Sequence, residues 1–242
     1  MLIDHLLVIL FAIIIPLNGW RNYPKFLAAL RKEPAAMVRR AVYIGNIIAL
    51  LALTLVVLLW WFYKHRTFSG LGLIWSPVPA FTTATTIVSA AVTLSFLLLD
   101  RIARSVKRRP SLKRKLSTTP ELLPRTSQEL RLFLFMSLCA GICEEILFRG
   151  YLIWYLGTIL NTHMAVLLSS VMFGFGHAYQ GLKGIFIITP IGLIFAMLYL
   201  WSGSIWVPVI LHIAIDSWSG LYGKKVFGDQ ELAPAVNENG AS

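Results

Sequence analysis

Apolar runs of about 20 residues recur along this chain, each long enough to cross ~30 Å of hydrocarbon as a helix. They fall at about 2–20, 41–63, 80–99, 129–149, 163–178, 185–202 and 204–222. A shorter run, 151–160, either continues the fourth helix after a break or forms a separate partial span. The runs are too long for the strands of a membrane barrel and lack their alternation. The expected fold class is therefore all-α, a polytopic transmembrane helical bundle of seven to eight helices.

Composition agrees. Hydrophobic residues make up 57% of the 242 and charged residues 14%, which leaves too little polar surface to cover a soluble sphere. Disorder requires low hydrophobicity and is excluded by the same figures. Two cysteines cannot build a disulfide scaffold. The net charge of +11 would suggest nucleic acid in a soluble protein. Here the basic residues lie between apolar runs, so membrane lipid is the expected partner and nucleic acid is not.

Loop charge sets the expected orientation. Segment 21–40 carries six Lys/Arg, 64–79 carries two and 101–131 carries ten. This places the basic loops 21–40 and 101–131 in the cytoplasm and the amino terminus outside, in an integral multi-pass membrane protein. The first run has Asp4 and His5 where a signal peptide needs positive charge, and reads as a retained helix. Residues 1–128 form amino-terminal membrane helices with basic loops, 129–222 hold the conspicuous polar residues, and 223–242 form a polar tail.

An ionisable residue inside an apolar span is costly and marks function by default. Asp4, His5 and Asp100 lie at run ends, where water is close, and are discounted. Glu144, Glu145, Arg149, His177, His212 and Asp216 remain. Glu145 and Arg149 are four apart and can pair on one helical face. Glu144 is rotated about 100° away and left free. Phe173 and His177 share a face, with Gly174 and Gly176 allowing close approach, and His212 and Asp216 repeat the four-residue spacing. Pro208 is expected to bend the last helix. Structural readings stand beside these: a buried ion-pair network for the glutamates, a helix–helix hydrogen bond for each histidine. Cys139 and Cys143 read as small apolar residues.

Glu-Glu-x-x-x-Arg at 144–149, Phe-x-x-x-His at 173–177 and His-x-x-x-Asp at 212–216, in this order, resemble the motifs of the CPBP intramembrane proteases. These are also called the ABI family and include the CAAX prenyl endopeptidases. The resemblance covers roughly 129–222, making that segment the expected catalytic core. It implies a bundle of about eight helices around an intramembrane polar cavity. It also implies hydrolysis of a peptide bond in a membrane-associated or prenylated protein or peptide. By position, Glu144 would be the catalytic carboxylate and His177 its partner in activating water. His212 and Asp216 would orient or stabilise the oxyanion, with Glu145, Arg149 and Phe173 supporting the site. Position 216 is Asn in many relatives, and an ionised Asp cannot donate to an oxyanion. The four-residue spacing instead lets Asp216 accept from His212 and fix its tautomer.

Amide hydrolysis needs a base for water, an acid for the leaving amine and donors for the oxyanion, and this residue set supplies candidates for each. Two mechanisms fit. One is metal-free, with no cofactor. The other is a zinc metalloprotease with Glu144, His177 and His212 as ligands. The metal-free form is favoured because the His-Glu-x-x-His spacing of many metalloproteases is absent. A non-catalytic scaffold or transporter using the same residues is the rival class.

Overall fold

The computed structural model describes residues 1–75, 78–107 and 119–228. The basic residues at 108–118 and the expected tail beyond 228 lie outside the described residues. Among the described residues every regular element is helical.

Helix α1 (Leu2–Lys32) contains a π-helical stretch, Leu10–Ile14. It lies just before Pro16, whose ring would press on a preceding carbonyl in a regular α-helix. Segment 21–40 is consequently not a loop. It is helical through Lys32 and again from Ala35, and only Glu33 and Pro34 break it. Pro34 drives Glu33 into an extended conformation (φ −119°, ψ 161°), which ends α1 there. Helix α2 is Ala35–Tyr63 and α3 is Pro79–Lys107. The threonines that open α3 are satisfied within it: Thr83, Thr85 and Thr86 donate to the carbonyls of Pro79, Phe81 and Thr82.

Helix α4 (Ser127–Glu145) begins at a capping box in which Thr126 and Glu129 bond each other's backbone N–H. It passes without a break through a π-helical stretch, Ile146–Leu152, into α5 (Ile153–Gly157). The short run 151–160 is thus a continuation of the fourth helix. Helices α6 (Thr162–Gly176), α7 (Gly181–Ser202) and α8 (Trp206–Phe227) follow. Gly203, at φ 65°, closes α7 in the left-handed conformation that a side chain would strain. Pro208 falls in the first turn of α8, where its missing N–H has no intrahelical partner to lose, so it opens the helix instead of bending it.

Helix α4 packs between α2 and α8, α8 also lies against α3, and α6 and α7 form a hairpin. Close approach depends on small residues. A Cβ at Gly141 of α4 would overlap Ile213 of α8, and one at Gly174 of α6 would overlap Thr189 of α7. Among the described residues four helical segments are long and apolar enough to cross a membrane: α1, α2, Pro79–Leu99 and Ala178–Ser202. The other long helices, α4 and α8, carry Glu144, Glu145, His212 and Asp216, and the shorter α6 ends just before His177.

Asp4 departs most from its sequence reading. Far from standing in water, it is fully buried and accepts from Arg66 Nη1 (2.8 Å), Trp60 Nε1 (3.1 Å) and Tyr151 Oη (2.8 Å). The Arg66 guanidinium lies 4.1 Å from the Trp154 ring centroid. This polar knot ties α1 to the end of α2 and to the π stretch after α4.

Candidate active site

The three motifs converge at the end of α4, the end of α6 and the middle of α8. Glu145 and Arg149 pair as expected, Nη1 to Oε1 at 2.8 Å, with both side chains buried. The same Oε1 also accepts from His212 Nδ1 at 2.7 Å. Arg149 Nη2 donates to the Gly192 carbonyl of α7 at 3.0 Å. Its guanidinium lies 4.1 Å from the Phe173 ring centroid and 5.1 Å from that of Phe195. Arg149 therefore gathers α4, α6 and α7 around one delocalised cation. Glycine at 192 permits this, because a Cβ there would stand 3.0 Å from Phe173 and 3.4 Å from Arg149 Nη2.

Phe173 is the apolar centre of the group. Its ring centroid lies 5.2 Å from that of His177 and 5.8 Å from that of His212. His177 follows the last residue of α6 and turns Nδ1 onto the Phe173 carbonyl (3.0 Å), one of the carbonyls that a helix end leaves unpaired. A carbonyl only accepts, so Nδ1 carries the hydrogen and Nε2 is left for other partners.

Glu144 stands apart from the Arg149 pair. Its side chain is 20% exposed and its nearest basic group is His212 Nε2 at 3.9 Å. Asp216, 33% exposed, lies 3.8 Å from the same Nε2. One expectation changes here. Asp216 lies 3.8 Å from His212 Nε2, beyond hydrogen-bond reach, and the orienting bond at Nδ1 goes instead to Glu145 of α4. Glu144 and His177 make no direct hydrogen bond among the described residues, so any cooperation between them passes through a bridging molecule. Glu145 Oε2 is buried without a hydrogen-bond partner.

A zinc site makes a further demand. Both imidazoles donate through Nδ1 and keep Nε2 open, as metal-ligating histidines commonly do. Yet no group of three His, Cys, Asp or Glu side chains among the described residues is close enough to hold one ion.

Residues 126–218 match the family model of type II CAAX prenyl endopeptidase Rce1-like proteins, an interval containing all three motifs. Over this segment, well under half of its length, the chain is similar to that family. Relatives agree over the same length scale. The Bacillus subtilis protein named "Putative membrane peptidase YdiL" is 37% identical over 92 residues, covering 38% of this chain and 37% of that protein. The Bacillus subtilis "Uncharacterized protein YpbD" is 31% identical over 86 residues, covering 35% and 41%. The chain thus matches well under half the length of these relatives. No solved structure matches it. The apolar helices and this partial match support an integral membrane protein.

Sequence reasoning missed the contribution of α7, which supplies the Gly192 carbonyl and the Phe195 ring. Pro190 and Gly192 interrupting an apolar run were the available signal. It also missed the π geometry around Arg149, for which the sequence carries no mark.

Proposed function

We propose that this site hydrolyses a peptide bond of a membrane-associated or lipidated, CAAX-like protein or peptide. A water held between Glu144 and His177 attacks the carbonyl carbon and gives its proton to Glu144. The C–N bond then breaks, and that proton passes to the leaving amine. His212 and Asp216 assist from α8, with Glu145, Arg149 and Phe173 fixing the geometry. The observation that carries this reading is the division between the two glutamates. Glu145 is buried and consumed by Arg149 and His212, whereas Glu144 is partly open and makes only a longer 3.9 Å contact to His212 Nε2.

The reading uses no metal, because the ligand set does not converge. The open Nε2 atoms keep a zinc metalloprotease as the second reading. The charge-derived orientation, with the amino terminus outside and 101–131 cytoplasmic, belongs to the same proposal.

The test compares membranes containing wild type or Glu144→Gln by mass spectrometry of newly formed protein termini. A purified assay on a quenched farnesylated CAAX peptide runs in parallel. Wild-type-specific termini support the proposal. A fully active Glu144→Gln overturns it, and a wild type that generates none points to a scaffold or transporter.

A further inference from the structure

Helix α1 is longer than a bilayer core requires. Its 31 residues, Leu2–Lys32, extend about 46 Å at 1.5 Å per residue, against ~30 Å of hydrocarbon. The apolar run 2–20 fills that depth and leaves 21–32 for the level of the lipid headgroups. Trp20, 57% exposed, stands at the junction, where indole rings favour the membrane–water boundary.

Segment 21–32 presents two unlike faces. Arg21, Lys25 and Lys32 follow at i, i+4 and i+11, which places them within about 40° of one another around the helix. All three are exposed, and none makes a side-chain hydrogen bond or ion pair among the described residues. The opposite face carries Tyr23. Its ring centroid lies 5.8 Å from that of Tyr179, and its hydroxyl donates to Glu121 Oε2 at 3.4 Å. Tyr179 belongs to the turn Ala178–Gln180 after His177, and its ring centroid is 6.0 Å from that imidazole. Tyr23 thus braces the turn that follows a motif histidine.

This helix end is bounded by the π-helical stretch on one side and the break at Glu33 and Pro34 on the other, and Pro24 withholds a backbone hydrogen bond in between. Its position therefore depends on what its outer face meets as well as on Tyr23. Three unpaired cations in one row, just past an apolar run and a boundary Trp, fit the negative charge of an anionic lipid surface. We propose that Arg21, Lys25 and Lys32 bind anionic phospholipid headgroups, and that this seats Tyr23 against the turn after His177. The inference does not depend on the hydrolase reading, since it concerns a lipid and the position of a turn.

The test reconstitutes wild type in nanodiscs of phosphatidylcholine, with or without phosphatidylglycerol. Native mass spectrometry reads which lipid stays bound on release, and hydrogen exchange reads residues 177–186. Phosphatidylglycerol should be retained in preference, and exchange in 177–186 should slow only when it is present. Arg21→Gln, Lys25→Gln and Lys32→Gln together should cut that retention at least about fivefold, the effect of one charge beside an anionic surface, and remove the slowing. The charge-preserving set Arg21→Lys, Lys25→Arg and Lys32→Arg should behave as wild type. Tyr23→Ala should keep the lipid and lose the slowing. Raised salt should weaken the preference of wild type itself, a check that needs no variant. Equal retention of both lipids by wild type, or retention unchanged in the glutamine variant, overturns the lipid site. Slowing that persists in Tyr23→Ala, or retention with no effect on exchange, overturns the link to the turn. Slowing by inorganic phosphate in phosphatidylcholine alone assigns the face to a free anion and overturns the lipid reading.

Discussion

His212 Nδ1 stands 2.7 Å from Glu145 Oε1, the same oxygen that accepts from Arg149, so the imidazole of α8 is anchored to α4. One buried carboxylate oxygen thereby fixes both a structural cation and a proposed reacting ring. This separates the two adjacent glutamates into holder and reactant, and the separation can be measured.

Glu144→Gln should abolish proteolysis and leave detergent melting nearly unchanged, since Glu144 is partly open and its ion-pair contact to His212 Nε2 is long at 3.9 Å. Glu145→Gln should lower both activity and melting temperature, because it weakens two buried bonds together. Arg149→Ala should destabilise by about 3–5 kcal/mol, the usual result of leaving a buried ion unpaired. Thermal melts beside peptide assays distinguish these outcomes. Equal destabilisation by both glutamate substitutions would contradict the division of roles.

Asp216→Asn should retain most turnover. The spacing within α8 suggested that Asp216 holds His212, but that bond goes to Glu145, so the imidazole stays fixed when the charge at 216 is removed. Asparagine also adds an N–H donor facing the site. A loss as large as that of His212→Ala, measured as kcat on one peptide, would show that the carboxylate does more than tune the surroundings.

Gly141→Ala should separate α4 from α8 beside the His212–Glu145 bond, because the added methyl overlaps Ile213 Cγ1 and stands 3.1 Å from the Ile213 backbone N. Overpacking of this kind costs about 1–3 kcal/mol. Activity should fall further than stability, since the bond joining the helices is adjacent. Adding Ile213→Ala should restore part of the lost kcat, and no restoration would argue against a steric cause.

Elemental analysis of purified, active protein should find no stoichiometric zinc, and strong chelators should leave kcat intact. Activity lost on chelation and recovered with one equivalent of zinc would transfer the mechanism to the second reading.

What was legible in the sequence was local. The Glu145–Arg149 pair follows from a four-residue spacing on one helix, and the long apolar runs announced the helices themselves. The partner of His212 was not legible, because it lies 67 residues away on another helix and competed with a nearer carboxylate at 216. Asp4 was discounted by its position near a run end. Its burial depends on Arg66 and Tyr151, which no local pattern connects to it. The basic segment 21–40 looked like a loop because charge outweighed helix propensity in the reading. Only Pro34 carried information about where the helix stops.

The Asp4 knot also imposes an order on assembly. Tyr151 reaches Asp4 across 147 residues, whereas Arg66 reaches it across 62. During synthesis the early hairpin can neutralise its carboxylate with Arg66, yet it lacks the phenolic donor until the segment behind α4 has emerged. The amino-terminal helices therefore finish maturing only against the part of the chain that bears the family motifs. A truncated product ending before Tyr151 would carry an incompletely solvated buried charge, the kind of defect by which membrane quality control can recognise an unfinished chain.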